Sequence, residues 1–381
     1  MDGKKSILLF ADWFEPGYKA GGPIRSCVNF VHQMKSHYTI YIFTTDRDLN
    51  DKTAYKNIET DKWINYEDGV KIFYCSPGQL SWNHIYREIQ AARPDFIYLN
   101  SMFSRYFTTY PLIMSRLGII NSKIVLAPRG MLKSSALQFK SLKKKTYLTV
   151  FRQMGLHRLI HFHATDKTEE SDVQKHFGNK VPLSVASNFP AAINDFPGSI
   201  LKKEKELSVV FIGRLHPVKN LDFLLQMLKE VDGNISLTII GNAEDPAYVQ
   251  RCKNIINTYP SNCKVHFMGE IPNSKLPDII SQHHIFALPT QGENFGHAIF
   301  EALAGGKPVL ISDQTPWRNL EQENAGWDIP LSKAEQFVKA LQQAVDFDQQ
   351  EYDKWSHGAW QFVRRFIERS DLQKAYNNLF S

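Results

Sequence analysis

Residues 287–312 read ALPTQGENFGHAIFEALAGGKPVLIS, and the order of residue types along them sets the fold class. Ile285 to Pro289 is a short apolar run of the kind that makes a buried strand. Thr290 to Asn294 is polar and contains Gly292, so the chain turns there. From Phe295 to Ala304 the apolar residues recur at helical spacing, with Phe295, Ala298, Ile299 and Ala302 on one face. Gly305-Gly306 stops that helix, and Pro308 to Ile311 enters the next strand. Strand, loop, helix, strand is the unit of a parallel α/β sheet.

The start of that helix is where chemistry is expected. First-turn amides lack acceptors within a helix and sit at the positive end of its dipole, which favours an anion. On the sequence these amides fall near Asn294, Phe295 and Gly296, and Gly296 lets a phosphate approach the backbone closely. Glu293 stands just before them. Glu301 lies seven residues after Asn294, on the same face, and helical side chains lean toward the N-terminus. A carboxylate on either side of a phosphate cradle suits a ligand with hydroxyls at both ends, such as a nucleotide sugar. Two glutamates at this spacing alone are weak, because many helices carry them by chance. The surrounding strand, glycine loop and GHAIFEALAGGKPVL segment give the pattern its weight.

This segment resembles the paired-glutamate motif of the retaining glycosyltransferases of family four, which have the GT-B fold. The continuation SDQTPWRNLEQENAGWDIP resembles a bacterial branch of that family found in surface-polysaccharide synthesis. The resemblance spans nearly the whole chain and is strongest from Val209 to Pro330. It implies that Glu293 and the amides of Asn294, Phe295 and Gly296 hold the donor's sugar and diphosphate, and that Glu301 binds the ribose. It implies two Rossmann-like α/β domains facing a cleft, with the C-terminal helix crossing back to the N-terminal domain.

The bulk numbers agree with two domains. The chain has 381 residues, 43% of them hydrophobic and 22% charged, enough for two cores in a soluble protein. No run approaches the roughly 18 apolar residues of a membrane helix. MDGKKSILLFADWF begins with basic residues and a short apolar run, but Asp12 and Glu15 follow at once, so it reads as a first strand rather than a signal peptide. Cys27, Cys75, Cys252 and Cys263 show no metal or redox spacing, and free thiols in a cytoplasm are expected. Residues 1–195 carry 26 Lys and Arg against 17 Asp and Glu, whereas residues 196–381 carry 19 against 22. The basic first half either faces an anionic partner such as lipid headgroups or a phosphorylated acceptor, or reflects compositional drift.

In chain order, strands are expected at Lys5–Asp12, Tyr38–Thr44, Val70–Cys75, Pro94–Asn100 and Lys123–Ala127, with helices at Ile24–Met34, Leu80–Ala92 and Tyr106–Leu117. Gly21-Gly22 lies at the first strand-to-helix turn and can present amides to a phosphate, and the family carries a glycine loop here. Asp46-Arg47-Asp48 has the Asp-x-Asp form of a metal site in the other glycosyltransferase fold, but it sits far from the donor loop and is read as an ordinary charged loop. Many family members place a histidine after the strand ending at Ala127; here stands Arg129, a binder of donor or acceptor phosphate or a structural ion pair. Lys133–Arg152 is a basic amphipathic segment with Lys140, Lys143, Lys144 and Lys145, fit for a membrane surface or simply a solvated helix face. His157, His161 and His163 are read as structural rather than zinc ligands. Asp166 and Glu169 form a capping-box pattern.

Residues 1–190 make the expected acceptor domain, 207–360 the nucleotide-sugar domain, and 361–381 the returning helices, with 188–206 as linker. In GRLHPVKNLDFLL, Arg214 and Lys219 stand between a strand end and a helix, where a fork and a point charge can neutralise a diphosphate without metal. The family resemblance assigns them that role, and assigns Gly269-Glu270-Ile271 to the nucleobase. Thr315 and Pro316 are expected to open a helix bordering the donor. The expected function is therefore metal-independent, retaining transfer of a sugar from a nucleotide diphosphate sugar to a glycan or lipid-linked hydroxyl. No cofactor, metal or nucleic acid is expected, and the location is cytoplasmic or peripheral on the membrane's inner face. A nucleotide-sugar epimerase of the same fold and a non-catalytic nucleotide-sugar-binding subunit are the alternatives.

Overall fold

The computed structural model describes residues 4–138 and 141–381, which fall into two compact units, one of residues up to Phe189 plus Asp371–Ser381, the other Pro190–Ser370. The first runs β1 (Ser6–Phe10), α1 (Gly22–Met34), β2 (Thr39–Thr45), β3 (Trp63–Glu67), β4 (Val70–Cys75), α2 (Trp82–Ala92), β5 (Phe96–Leu99), α3 (Tyr110–Arg116), β6 (Lys123–Leu126), α4 (Ser134–Gln138), α5 (Ser141–Gln153), β7 (Ile160–Ala164), α6 (Lys167–Phe177) and β8 (Leu183–Val185). The second runs β9 (Glu206–Ile212), α7 (Leu221–Leu228), β10 (Asn234–Ile240), α8 (Pro246–Ile256), β11 (Cys263–Gly269), α9 (Leu276–Ser281), β12 (Ile285–Leu288), α10 (His297–Ala304), β13 (Val309–Ser312), β14 (Gly326–Ile329), α11 (Ala334–Asp346) and α12 (Gln349–Arg369). Helix α13 (Leu372–Leu379) completes the first unit.

Each unit is an α/β sheet of the expected class. The first sheet has the order β3-β4-β2-β1-β5-β6-β7-β8, parallel except for the β3–β4 pair. The second has the order β11-β10-β9-β12-β13-β14 and is parallel throughout. Central strands are near-continuous apolar runs because helices cover both faces. In β1 the alternation divides the burial. Ile7 and Leu9 pack with α1 and α13 on one side, while Leu8 and Phe10 pack with α2 and α3 on the other. The order reverses at β1 in the first sheet and at β9 in the second, so their C-terminal ends adjoin β5 and β12 respectively. Such switch points are where open parallel sheets leave room for a ligand.

Several boundaries differ from the expected ones. Trp63–Glu67 forms an antiparallel edge strand that lacks a clean alternation in sequence. A π-helical turn, Arg105–Thr109, precedes α3, so no single helix spans Tyr106–Leu117. The return to the first unit begins at Asp371, not at residue 361. Helix α12 runs unbroken for 21 residues because Tyr352, Trp355, Ala359 and Val363 all bury against the second core. The returning helix is α13: Tyr376 stacks on Phe189 at 4.2 Å, and Phe380 lies within 6 Å of Phe30, Tyr38, Phe96 and Tyr98. Residues 190–205 lie against the second unit instead of hanging as a tether. Ile193 and Ile200 pack on its core, and the buried Lys202 ammonium donates to the carbonyls of Lys203, Val345 and Phe347.

Candidate functional site

In the second unit the loops after β9 and β12 leave neighbouring strands at the switch point and are tied together by the backbone. The Val218 carbonyl accepts from both Thr290 Oγ1 (3.0 Å) and the Gln291 amide (2.8 Å). The Ser312 hydroxyl donates to the Thr290 carbonyl, and the Glu293 amide donates to Gln314 O at 3.0 Å. In the β9 loop, residues 217–219 form a 3-10 turn, capped by His216 Nδ1 accepting from the Val218 amide. Burial holds the His216 imidazole below its usual range, so the ring stays neutral and able to accept.

Two ion pairs cross this edge. Lys219 Nζ pairs with Glu293 Oε1, with only 15% and 14% of the side chains exposed. Arg214 Nη1 pairs with Glu244 Oε2 at 2.7 Å, nearer the solvent. Glu244 stands just after β10, and nothing local in the sequence marks it as a partner of Arg214. Leu215 is held by its amide to Asn242 O at 2.7 Å, which fixes the two loops alongside each other.

Helix α10 begins two residues later than the sequence suggests. Gly296 is its N-cap, at φ +78° in the left-handed region, so Asn294 and Phe295 belong to the loop. The first-turn amides are therefore those of His297, Ala298 and Ile299, not of residues 294–296. A Cβ on Gly296 would lie 2.8 Å from Ile299 Cδ1 and 3.4 Å from Trp317 Nε1, so the position takes glycine on two grounds. The Phe295 ring is buried between Trp317 and Phe300, and its carbonyl accepts from Trp317 Nε1 at 2.6 Å. Trp317 thus orients the loop, a role the sequence alone did not assign. No helix opens at Thr315-Pro316: Thr315 Oγ1 accepts from the Trp317 amide inside an irregular turn. Glu301 is partly buried one turn beyond His297. Gly269 ends β11 at φ +71°, its carbonyl accepting from the Gly241 amide at 2.8 Å, and Ile271 follows, packed partly on the core. Both lie at the same edge of the sheet, two strands away from β9.

Residues 193–361 match the family profile described as "Glycosyl transferases group 1". They are a group 1 glycosyltransferase domain. The loops, ion pairs and glycine cap just described all fall inside it. The chain is 26% identical over 173 residues to the O-antigen chain mannosyltransferase RfbU of Salmonella typhimurium, covering 45% of this chain and 47% of that protein. It is 26% identical over 251 residues to an Escherichia coli UDP-Gal:alpha-D-GlcNAc-diphosphoundecaprenol alpha-1,3-galactosyltransferase, covering 60% and 63%. The chain spans about half the length of the curated relatives it matches. In fold it is similar to Anabaena Alr3699/HepE in complex with UDP and glucose, with a TM-score of 0.69, 15% identity and 98% of each chain covered. It is also similar to WaaG, a glycosyltransferase involved in lipopolysaccharide biosynthesis, with a TM-score of 0.67, 13% identity and 98% of each chain covered. These neighbours are GT-B glycosyltransferases, and two Rossmann-like units are what this chain has.

Outside the glycosyltransferase domain, the first unit holds the remaining singled-out residues. Helix α1 starts at Gly22, two residues before the expected Ile24, with Gly21 as its N-cap at φ +65° and open space where a Cβ would stand. Arg129, at φ +55°, is partly buried and makes no ion pair within 4 Å among the described residues. Its guanidinium donates to Asn100 Oδ1 (2.6 and 3.2 Å), Tyr98 OH (2.9 Å) and Asn188 Oδ1. Asp48 Oδ2 accepts from the Tyr18 and Lys19 amides, while Asp46 pairs with Arg47. His163 is buried between Tyr98 OH and Ala186 O, His161 bonds Ser184, and His157 stacks on Phe177. Asp166 caps α6 by accepting from the Glu169 amide. The Glu169 carboxylate turns away from a reciprocal box, taking bonds from Thr165 and from the Gly130 amide. Of the basic segment, Lys140 lies outside the described residues, while Lys143 and Lys145 are exposed on α5.

Proposed function

We propose that the protein transfers a sugar, with retention and without a metal, from a nucleotide diphosphate sugar to a hydroxyl of a glycan or lipid-linked acceptor in surface-polysaccharide synthesis. The observation that carries this is the pairing of Lys219 with Glu293 at the β9–β12 switch point, beside Arg214 and the start of α10. In this reading the donor's diphosphate approaches the positive end of α10, and Lys219 and Arg214 take up the charge that grows on the leaving phosphate. Glu293 then turns from Lys219 to the donor sugar's hydroxyls and steadies the cationic sugar. Glu301 takes the ribose, and Gly269 and Ile271 border the base. The leaving phosphate receives the acceptor's proton as the new bond forms on the same face, so no protein base is needed. The relatives that act as mannosyl- and galactosyltransferases, one on a diphosphoundecaprenol-linked sugar, support this class of substrates.

The test is a panel of UDP-, GDP-, ADP- and dTDP-sugars, followed by thermal stabilisation and by released nucleotide, with and without EDTA. Stabilisation by one donor and EDTA-resistant release support the proposal. NMR of the product's anomeric signal decides retention. Epimerised donor without any acceptor would favour the epimerase, and binding without turnover the non-catalytic subunit.

Peripheral attachment to anionic lipid is part of the same proposal. On α5 and in the turns after α3 and α5, Leu117, Leu142, Val150 and Met154 are 63%, 79%, 45% and 39% exposed. The exposed Lys143, Lys145, Arg152 and Arg158 are interleaved with them. Apolar anchors among cations complement an anionic headgroup layer. Among the described residues no helix is long and apolar enough to cross a membrane. Sedimentation with anionic but not neutral vesicles at low salt is expected; no binding to either retires this part.

A further inference from the structure

The first unit has its own switch point, between β1 and β5, and a set of polar side chains converges there. Asp12 follows β1 and is fixed from both sides. Its carbonyl accepts from Thr45 Oγ1 at 2.6 Å, and its carboxylate Oδ1 accepts from Ser104 Oγ at 2.8 Å. Ser104 cannot turn away, because the same oxygen accepts from the Phe107 amide (3.2 Å) to cap the π-helical turn. Asn100 follows β5, and its amide donates to Phe10 O at 3.2 Å, which locks the two strand ends side by side. Arg129 places two bonds on Asn100 Oδ1, so the carboxamide is oriented with its NH2 left on one long contact, 3.5 Å to Tyr98 O.

A fixed carboxylate that accepts and a fixed amide that donates, on adjacent strand ends, are the complementary groups that sugar hydroxyls use: one hydroxyl donates to the acid and another accepts from the amide. Neither group is needed to hold the fold of its strand, since both strands are already paired by their backbones. We propose that Asp12 and Asn100 bind the hydroxyls of the acceptor sugar, with Ser104 and Arg129 as the positioning residues that hold them. This rests on the glycosyltransferase reading of the second unit and names the class of ligand that the first unit takes. Partial burial pushes the Asp12 carboxyl above the usual carboxylate range, as expected of an acid in a crevice whose hydration a sugar would replace.

The experiment uses octyl glycosides of glucose, galactose, mannose and N-acetylglucosamine, both anomers, with binding read by saturation-transfer NMR. Nucleotide release from the donor panel is measured in parallel. Wild-type protein is expected to bind at least one glycoside. Asp12→Asn and Asn100→Ala are expected to weaken it about tenfold or more. Ser104→Ala should weaken glycoside binding in the wild type and Ser104→Thr restore it, while Ser104→Ala should add nothing in the Asp12→Asn background, a dependence on Asp12 that a merely structural serine would not show. The exposed Lys167→Ala serves as control. No glycoside bound by the wild type, or equal binding by the Asp12 and Asn100 variants, overturns the proposal. Glycoside binding with no nucleotide release from any donor would instead overturn the reading of the second unit.

Discussion

Lys219 and Glu293 are 74 residues apart in the chain yet form an ion pair between the loops that follow β9 and β12. Topology alone brings them together: β12 pairs with β9, so the loops leaving their C-terminal ends are neighbours. Neither side chain is more than 15% exposed, so each leaves a partly desolvated charge if the other is removed.

Lys219→Ala is therefore expected to lower donor turnover by about 10²-fold, the scale for losing one preorganised charge at a developing anion. Glu293→Gln should lower it similarly. The double variant should be much less impaired than the product of the two, because each single change already breaks the ion pair that both share. Nucleotide release from the preferred donor measures this. Fully multiplicative losses would mean that the pair does not act as a unit.

Arg214 is held by Glu244 at 2.7 Å, and a diphosphate must compete with that carboxylate for the guanidinium. Glu244→Gln removes the competitor's charge and keeps its shape. The donor KM is expected to fall several-fold, about the value of a half-exposed ion pair, with little change in kcat. Arg214→Ala should do the opposite and raise KM. A higher KM in Glu244→Gln would show that the acid helps to position Arg214 rather than masking it.

The second unit was largely legible because its signals are local. β12, the turn at Gly292 and the stop at Gly305-Gly306 each depend on residues within a few positions, and β–α alternation then implies a parallel sheet. The start of α10 was misread by two residues because Phe295 fits the helical period. What decides the start is the left-handed backbone at Gly296 and the Trp317 indole on the Phe295 carbonyl, a contact 22 residues away. Glu244, Gln314 and Asp12 were invisible for the same reason. Each gains its role from a strand or loop that is near only after the sheet has formed. The edge strand β3 escaped because its side chains are partly exposed on both faces, which erases the period of two.

Three glycines with positive φ rank by what surrounds them. At Gly241 a Cβ would lie 1.8 Å from the Gly213 carbonyl oxygen, a backbone atom with no room to yield. At Gly296 it meets the flexible end of Ile299 at 2.8 Å, and at Gly21 it meets nothing within 4 Å. Alanine at these sites is expected to destabilise by more than about 3 kcal/mol at 241, about 1–2 at 296, and about 1 at 21, where only backbone strain remains. Urea unfolding gives the order. Gly241→Ala should also lose turnover, because moving the Gly213 carbonyl displaces Arg214. A Gly21→Ala variant less stable than Gly296→Ala would contradict the ranking.

His284 makes the stability of the second unit depend on pH. Its Nδ1 accepts from the Ser208 amide at 2.9 Å, and its Nε2 faces the Leu201 carbonyl at 3.0 Å, so the fold holds the neutral ring. Burial is the main cause that lowers its pKa from 6.5 to about 4. The unfolded chain therefore takes up a proton first as the pH falls. The contribution is fully present above the unfolded value, is lost between about pH 6.5 and 4, and changes no further once the folded ring is also protonated. Between pH 6.5 and 5 the loss amounts to about 2 kcal/mol. His284→Gln cannot titrate. Whatever its stability at pH 7, its urea midpoint should fall less steeply than that of the wild type across that window. Parallel slopes for the two proteins would mean that the folded ring takes up its proton at the same pH as the unfolded one and that the hydrogen bonds to Ser208 and Leu201 do not select the neutral form.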